Sequence, residues 1–135
     1  MSDRGVIQHR DRARQILDFH GLQYERGITP TDIDLFLDFE NKAFVFGEIK
    51  HRDTPLQYGQ RLALERIVDA CPITAILFMA RHDIDDCEKD VDVSILTVDE
   101  YRWEQVWKEA VKTETVRQFI DRFHRFVYRD SQAQE

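Results

Sequence analysis

The sequence predicts an α/β fold, a mixed central β-sheet flanked by helices. Two consecutive segments, residues 32–39 and 43–50, alternate apolar and polar side chains as strands of a hairpin do. A segment of helical period follows them, and short apolar runs at 73–79 and 93–98 are typical of buried strands. A hairpin that precedes a crossover helix and further strands favours a mixed sheet with helices against it.

The composition predicts a single domain of 135 residues, in which 26 Asp and Glu against 19 Lys and Arg give a net charge of −7. The longest apolar run, residues 73–80, is too short to cross a bilayer, so we expect no membrane association. The N-terminus has no apolar signal core, and Cys71 and Cys87 form no CxxC pair, which predicts a cytoplasmic protein with free thiols. The negative net charge argues against nonspecific binding along nucleic acid, but it is compatible with a local row of basic residues.

The N-terminal segment predicts a helix followed by a short strand. Ala13, Ile16 and Leu17 recur at helical spacing and Gly21 is a natural stop, which places the helix near residues 8–20. The alternation over residues 22–28 predicts a strand that ends before Thr29-Pro30.

The hairpin is predicted in more detail than the other elements. Residues 40–42 leave room for a three-residue loop with Asn41 at its tip, so the numbers of facing residues should sum to 82. One face of the hairpin is then entirely apolar and should be core; its residues are Ile33, Leu35, Leu37, Phe39, Ala43, Val45, Gly47 and Ile49.

The second half of the chain predicts one more crossover and two terminal helices. Thr54, Pro55 and Gln57 resemble a capping box that begins a helix running to about Ala70. The strands at 73–79 and 93–98 flank an acidic loop to which we assign no metal, because no glycine provides the turn that a calcium loop needs. Two apolar stripes predict a helix capped by Asp99 and a last helix; their members are Trp103, Val106, Trp107, Ala110 and Val111, and Val116, Phe119, Ile120, Phe123 and Val127.

The other hairpin face carries charged groups among phenylalanines. The predicted register sets Asp34 opposite Glu48 and Asp32 opposite Lys50. Directly opposed carboxylates are destabilising unless a positive charge lies between them. A divalent cation with oxygen ligands would supply that charge, and Lys50 would add another.

These residues resemble the motif of the PD-(D/E)xK nuclease superfamily. The motif reads Pro30-Thr31-Asp32-Ile33-Asp34 and then Glu48-Ile49-Lys50. The family's restriction-endonuclease-like core, αβββαβ, is similar to the element order predicted for residues 8–80, with C-terminal helices added. The alternative to a functional site is that Asp34 and Glu48 are ordinary surface carboxylates on a solvated face of the sheet.

The resemblance implies a Mg²⁺- or Mn²⁺-dependent phosphodiester hydrolase. It implies metal ligands in Asp34, Glu48 and the backbone carbonyl of Ile49, with Lys50 orienting water or stabilising charge on the phosphate. Asp32 remains a rival of Asp34, because both lie on the same face. Lys50 ends a strand whose apolar face is complete without it, so its replacement should cost activity and little stability.

The family also places a Gln or Tyr from the following helix near the site. Gln60 is the better match, since Gln57 has a task in the capping box, and Tyr58 is the weaker one. An additional acidic residue from the first helix or strand would have to be Glu25 or Asp18.

The implied partner is nucleic acid, with DNA favoured over RNA, and the implied enzyme is a DNA endonuclease or structure-specific resolvase. The basic residues that could contact nucleic acid are His51, Arg52, Arg117, Arg122 and Arg125. Because the chain is acidic, we expect its binding to nucleic acid to need either a homodimer or a partner protein that delivers the substrate. The alternative function is a catalytically silent protein of the same fold that acts as a nucleic-acid-binding or assembly subunit.

Overall fold

The computed structural model describes residues 5–110 and 113–133. The chain forms two compact units, Met1–Asp32 and Ile33–Glu135. The second unit contains a five-stranded mixed sheet with helices, which confirms the predicted α/β class. Within the described residues, no helix combines the length and the apolar character that a bilayer crossing requires.

The N-terminal unit differs from its prediction. Helix α1 spans only Arg10–Ala13, because Ile16 and Leu17 are 73% and 76% exposed and give a longer helix no packing surface. The strand expected at 22–28 is wrong as well. That segment is a 3₁₀ turn, Glu25–Gly27, closed by a bridge between Tyr24 and Ile28.

The sheet of the second unit has the order β1-β2-β3-β4-β5. Its strands are β1 (Leu35–Asp38), β2 (Ala43–His51), β3 (Thr74–His82), β4 (Thr97–Trp103) and β5 (Val106–Glu109). Strands β2 and β3 are parallel, and the other neighbours are antiparallel. The described chain thus carries two strands before the crossover helix, where the nuclease core was expected to have three.

The predicted hairpin register is confirmed. Leu35 pairs with Gly47 and Asp38 with Phe44, so facing numbers sum to 82. Glu40 and Asn41 adopt positive φ angles of 55° and 59°, and the Asp38 carboxylate accepts the Asn41 N–H at 2.7 Å. The Asp38 side chain at the end of β1 therefore stabilises the turn that fixes the register.

Two helices cover the two faces of the sheet. Helix α2 (Tyr58–Ala70) packs Leu64 and Val68 against Phe46 and Leu77. Helix α3 (Val116–Ala133) covers the opposite face, in a cluster that includes Ala43, Val45, Ile76, Phe78, Ala80, Val98, Val116, Phe119, Phe123 and Val127. The apolar hairpin face is therefore core, as predicted, except that Ile33 packs with the α2 cluster because it precedes β1.

The start of α2 also differs from its prediction. The helix begins at Tyr58, its N-cap is Gln57, and that side chain makes no capping hydrogen bond. Thr54 lies in the preceding connection, where its carbonyl accepts a hydrogen bond from Arg81. The predicted capping box is therefore wrong, because the connection is held by a distant strand.

Gly47 permits the ring of Phe78 on β3 to pack closely against β2. A Cβ atom at this position would lie 2.5 Å from Cζ of Phe78, which is fully buried on the neighbouring strand. Glycine thus leaves space for the Phe78 ring over β2.

The segment predicted as a helix from Asp99 forms β4 and β5 instead. Glu104 and Gln105 join these strands with φ angles of 52° and 66°, which are typical of a tight hairpin turn. Tyr101 and Trp103 pack toward α3, whereas Trp107 packs toward α2. The apolar residues of this segment are therefore divided between the two faces of the sheet. The strand expected at 93–98 is a 3₁₀ turn at Val93–Ile95 before β4, and Val111 lies outside the described residues.

Charged groups attach α2 to this second hairpin. Arg102 on β4 forms a bidentate pair with Asp69 at 2.9 and 2.7 Å. The Trp107 indole N–H donates to Glu65, and the Arg61 guanidinium lies 4.1 Å from the Trp107 ring centroid. These contacts orient the helix that carries Gln60 over the sheet.

Candidate active site

Three of the predicted site residues meet between β2 and the first turn of α2. Glu48 and Lys50 are two residues apart on β2, so both side chains point to the α2 face. Helix α2 places Gln60 directly above them. The Gln60 amide donates to Oε1 of Glu48 at 3.0 Å and accepts from Nζ of Lys50 at 3.1 Å.

An ion pair closes this triad, by which we mean Glu48, Lys50 and Gln60. Nζ of Lys50 lies 3.1 Å from the same Oε1 of Glu48. Each group therefore contacts both of the others, and the amide orientation of Gln60 is fixed by one donor and one acceptor. The triad holds the ammonium in one position, as a catalytic role would require.

The electrostatics of the triad depend on its burial. The Glu48 side chain is 3% exposed and that of Lys50 is 20% exposed. A carboxylate at such depth is costly unless it is paired and hydrogen-bonded. Lys50 and Gln60 supply these partners, so the site carries a buried negative charge with a positive charge at its rim.

Asp34 lies next to the triad across the hairpin. Its side chain is exposed, and Oδ2 accepts the backbone N–H of Ile49 at 2.8 Å. The carboxylate thus reaches the stretch of β2 between Glu48 and Lys50, as the register of 82 requires. Asp32, its rival, belongs to the N-terminal unit, as do Glu25 and Asp18.

The connection between β2 and α2 is held by a residue that the sequence analysis did not single out. Arg81 on β3 donates to the carbonyls of Arg52 and Thr54, both at 2.7 Å, and to Asp99 at 2.6 Å. Lys50 and Arg81 are register partners on the parallel strands. The only sequence signal was an arginine that directly follows a buried apolar strand.

His51 and Arg52 were predicted to contact nucleic acid, and both face Asp85. His51 Nε2 lies 2.8 Å from Oδ1, while Arg52 makes a bidentate contact with this carboxylate. Hydrogen bonds from Arg52 and then His51 lower the pKa of Asp85, and the same carboxylate raises the pKa of Arg52. The positive charge of Arg52 is therefore paired with an acidic neighbour at the edge of the site.

The arginines predicted on the last helix lie away from the triad. Arg117, Arg122 and Arg125 are on α3, which covers the sheet face opposite to α2. Arg117 pairs with Asp121 at 3.0 Å, and Arg122 with Glu114 at 2.9 Å. The structure does not bring these residues together with Glu48 and Lys50.

The donor chemistry of the site suits a hard cation. Asp34, Glu48 and the carbonyl of Ile49 offer only oxygen atoms, which Mg²⁺ and Mn²⁺ prefer. Among residues 5–110 and 113–133, no group of three or more His, Cys, Asp or Glu side chains could hold an ion. A cation here would therefore depend on two carboxylates, a carbonyl and water.

Tyr58, the weaker family candidate, is the first residue of α2 and is 77% exposed. Gln60, one half-turn further along, occupies the place between Glu48 and Lys50.

Comparison of the chain with protein-family models, curated proteins and solved structures found no match.

Proposed function

We propose that the protein is a metal-dependent nuclease that hydrolyses phosphodiester bonds, with DNA as its favoured substrate. The observation that carries the proposal is the triad beside Asp34, in which a buried Glu48 fixes Lys50 at the end of a strand. The specific PD-(D/E)xK core is part of this proposal. It is supported by the confirmed hairpin register and the parallel crossover to β3.

Asp34, Glu48 and the carbonyl of Ile49 would hold Mg²⁺ or Mn²⁺. When bound, the cation would offset phosphate charge and make an attacking water more acidic. Lys50 and Gln60 both contact Oε1 of Glu48, so the carboxylate keeps one orientation.

Lys50 is the proposed catalytic residue. An ammonium has three N–H donors, and two of them are directed at Glu48 and Gln60. The third would point to a phosphate oxygen or to the attacking water, where negative charge grows during hydrolysis. Gln60 is a positioning residue, because it acts on substrate only through the orientation of Lys50 and Glu48.

The alternative is a protein of this fold without catalysis, acting as a nucleic-acid-binding or assembly subunit. The observation in its favour is that the triad satisfies Oε1 of Glu48 without any cation. A purely structural triad would need neither Asp34 nor a divalent ion.

A cleavage assay separates the two functions. Labelled single-stranded, duplex, flapped and four-way DNA, and matched RNA, would be incubated with Mg²⁺, Mn²⁺ or EDTA. We expect cleavage that needs the cation and is lost in Glu48→Gln and Lys50→Met, whereas Lys108→Met and Glu109→Gln on β5 behave as wild type.

Mn²⁺ calorimetry should show binding that Asp34→Asn and Glu48→Gln each weaken. Wild-type protein that neither cleaves nor binds Mn²⁺ would refute the proposal and favour the alternative.

A further inference from the structure

Phe36 is an exposed aromatic side chain on the edge strand that begins beside the candidate site. It is 51% exposed, although its centroid lies 5.2 Å from the rings of both Phe44 and Phe46. The two rings brace Phe36 in tilted contacts, and Phe46 is itself buried under α2. The structure therefore presents to solvent a ring that is supported by two others, and such support lowers the entropic cost of binding a flat partner.

The position of Phe36 connects it with the proposed chemistry. It follows Asp34 by two residues, a distance of about 7 Å along an extended chain. Its register partner is Phe46, two residues before Glu48 on β2. A nucleotide whose phosphate lies at Asp34 and Glu48 would thus have its adjacent base within reach of the Phe36 ring.

We propose that Phe36 is a stacking subsite for an unpaired base next to the scissile phosphate, so that the substrate is single-stranded or frayed at the cut. The inference rests on the proposed nuclease function and adds its substrate class. Bases inside a duplex already stack on their neighbours and cannot cover a protein ring, whereas unpaired bases can. Stacking adds affinity without a further basic residue, which suits a chain that is acidic overall and whose Arg52 near the site already pairs with Asp85.

The test measures binding rather than cleavage. Fluorescence anisotropy with a labelled oligothymidylate of about 12 nucleotides and with a blunt duplex would be recorded in Ca²⁺, a cation that also prefers oxygen ligands. Phe36→Leu should weaken single-strand binding on the order of tenfold and leave duplex binding unchanged. Phe36→Tyr and Phe36→Trp should retain the affinity of wild type, because they keep a ring.

Phe126 offers a matched control, since it is 48% exposed and lies on α3 at the opposite sheet face. Phe126→Leu should bind the oligonucleotide as wild type does. A scan of single abasic positions should find one at which Phe36→Leu has no further effect, because the stacking partner has gone. Equal binding by wild type and Phe36→Leu, an equal loss on duplex, an equal loss in Phe126→Leu, or no single-strand binding at all would overturn the proposal.

The outcomes also separate this inference from the nuclease function. Cation-dependent cleavage with wild-type behaviour of Phe36→Leu would refute only the stacking subsite. Ring-dependent single-strand binding without cleavage would retain the subsite and refute the nuclease.

Discussion

The buried ion pair of Glu48 and Lys50 makes a prediction that differs from the one based on sequence. The sequence indicated that replacing Lys50 would cost little stability, because the apolar face of β2 is complete without it. The structure places its ammonium 3.1 Å from a carboxylate whose side chain is 3% exposed. Lys50→Met should therefore destabilise the fold by leaving Glu48 with a buried charge.

The magnitude follows from the geometry. At an effective dielectric constant of 20, the attraction over this distance is about 5 kcal/mol before desolvation is subtracted. Removing one partner of a buried pair costs about 3–5 kcal/mol, and the low end applies here because Lys50 is partly exposed and Gln60 still donates to Glu48. In a Glu48→Gln background the same substitution should cost only about 1 kcal/mol, the value of an ordinary hydrogen bond.

Urea unfolding of wild type, both single variants and the double variant would measure this coupling. The double variant should be about 2 kcal/mol more stable than the two single losses predict, and Lys50→Met alone should lower the unfolding midpoint by about 1–2 M. Lys108→Met is the control for loss of an exposed lysine. A coupling energy below about 0.5 kcal/mol would refute the argument that Lys50 stabilises the buried carboxylate.

Three further predictions follow from single contacts. Gly47→Ala should lower the free energy of unfolding by about 1–3 kcal/mol in urea titrations, because the new Cβ would lie 2.5 Å from the Phe78 ring, and an unchanged midpoint would contradict this. Arg81→Lys should lower turnover by up to about a hundredfold with little change in DNA affinity, because one ammonium cannot reproduce the guanidinium contacts with Asp99 and with both carbonyls of the connection before α2. Arg117→Lys is the control for this substitution. The Tyr128 hydroxyl donates to Glu40 at 2.6 Å, which raises the pKa of Tyr128. An alkaline absorbance titration should thus show one late tyrosine that is missing in Tyr128→Phe, and any stability from this contact is present at neutral pH and lost as pH rises through the raised pKa.

The hairpin that carries Asp34 and Glu48 could be predicted from sequence because its determinants are local. Side-chain alternation has a period of two, and the loop at 40–42 is short enough to fix which residues face each other. The same period places Glu48 and Lys50 on one side of β2. The chemistry-bearing pair and its approach to Asp34 therefore followed from the order of residues alone.

The β4–β5 hairpin could not be predicted in this way. Trp103, Val106 and Trp107 fit the spacing of a helix, and the turn at Glu104 and Gln105 lacks the Asn-Gly or Gly signal of a tight hairpin. Pairing with β3 and the contact of Trp107 with Glu65 on α2 decide the outcome. Tertiary contacts thus override a local periodicity that is compatible with two structures.

The prediction of a long helix near residues 8–20 was wrong because this segment lacks the tertiary contacts that a helix needs. A helix of moderate propensity persists when an apolar stripe is buried, and Ile16 and Leu17 are exposed. At the site, only the parallel pairing of β2 with β3 brings Arg81 to the connection before α2, and only the crossover places Gln60 over Lys50. Sequence determined which side chains share a strand face, because that geometry repeats along the chain, whereas contacts between distant segments depend on the packing of the whole sheet and its helices.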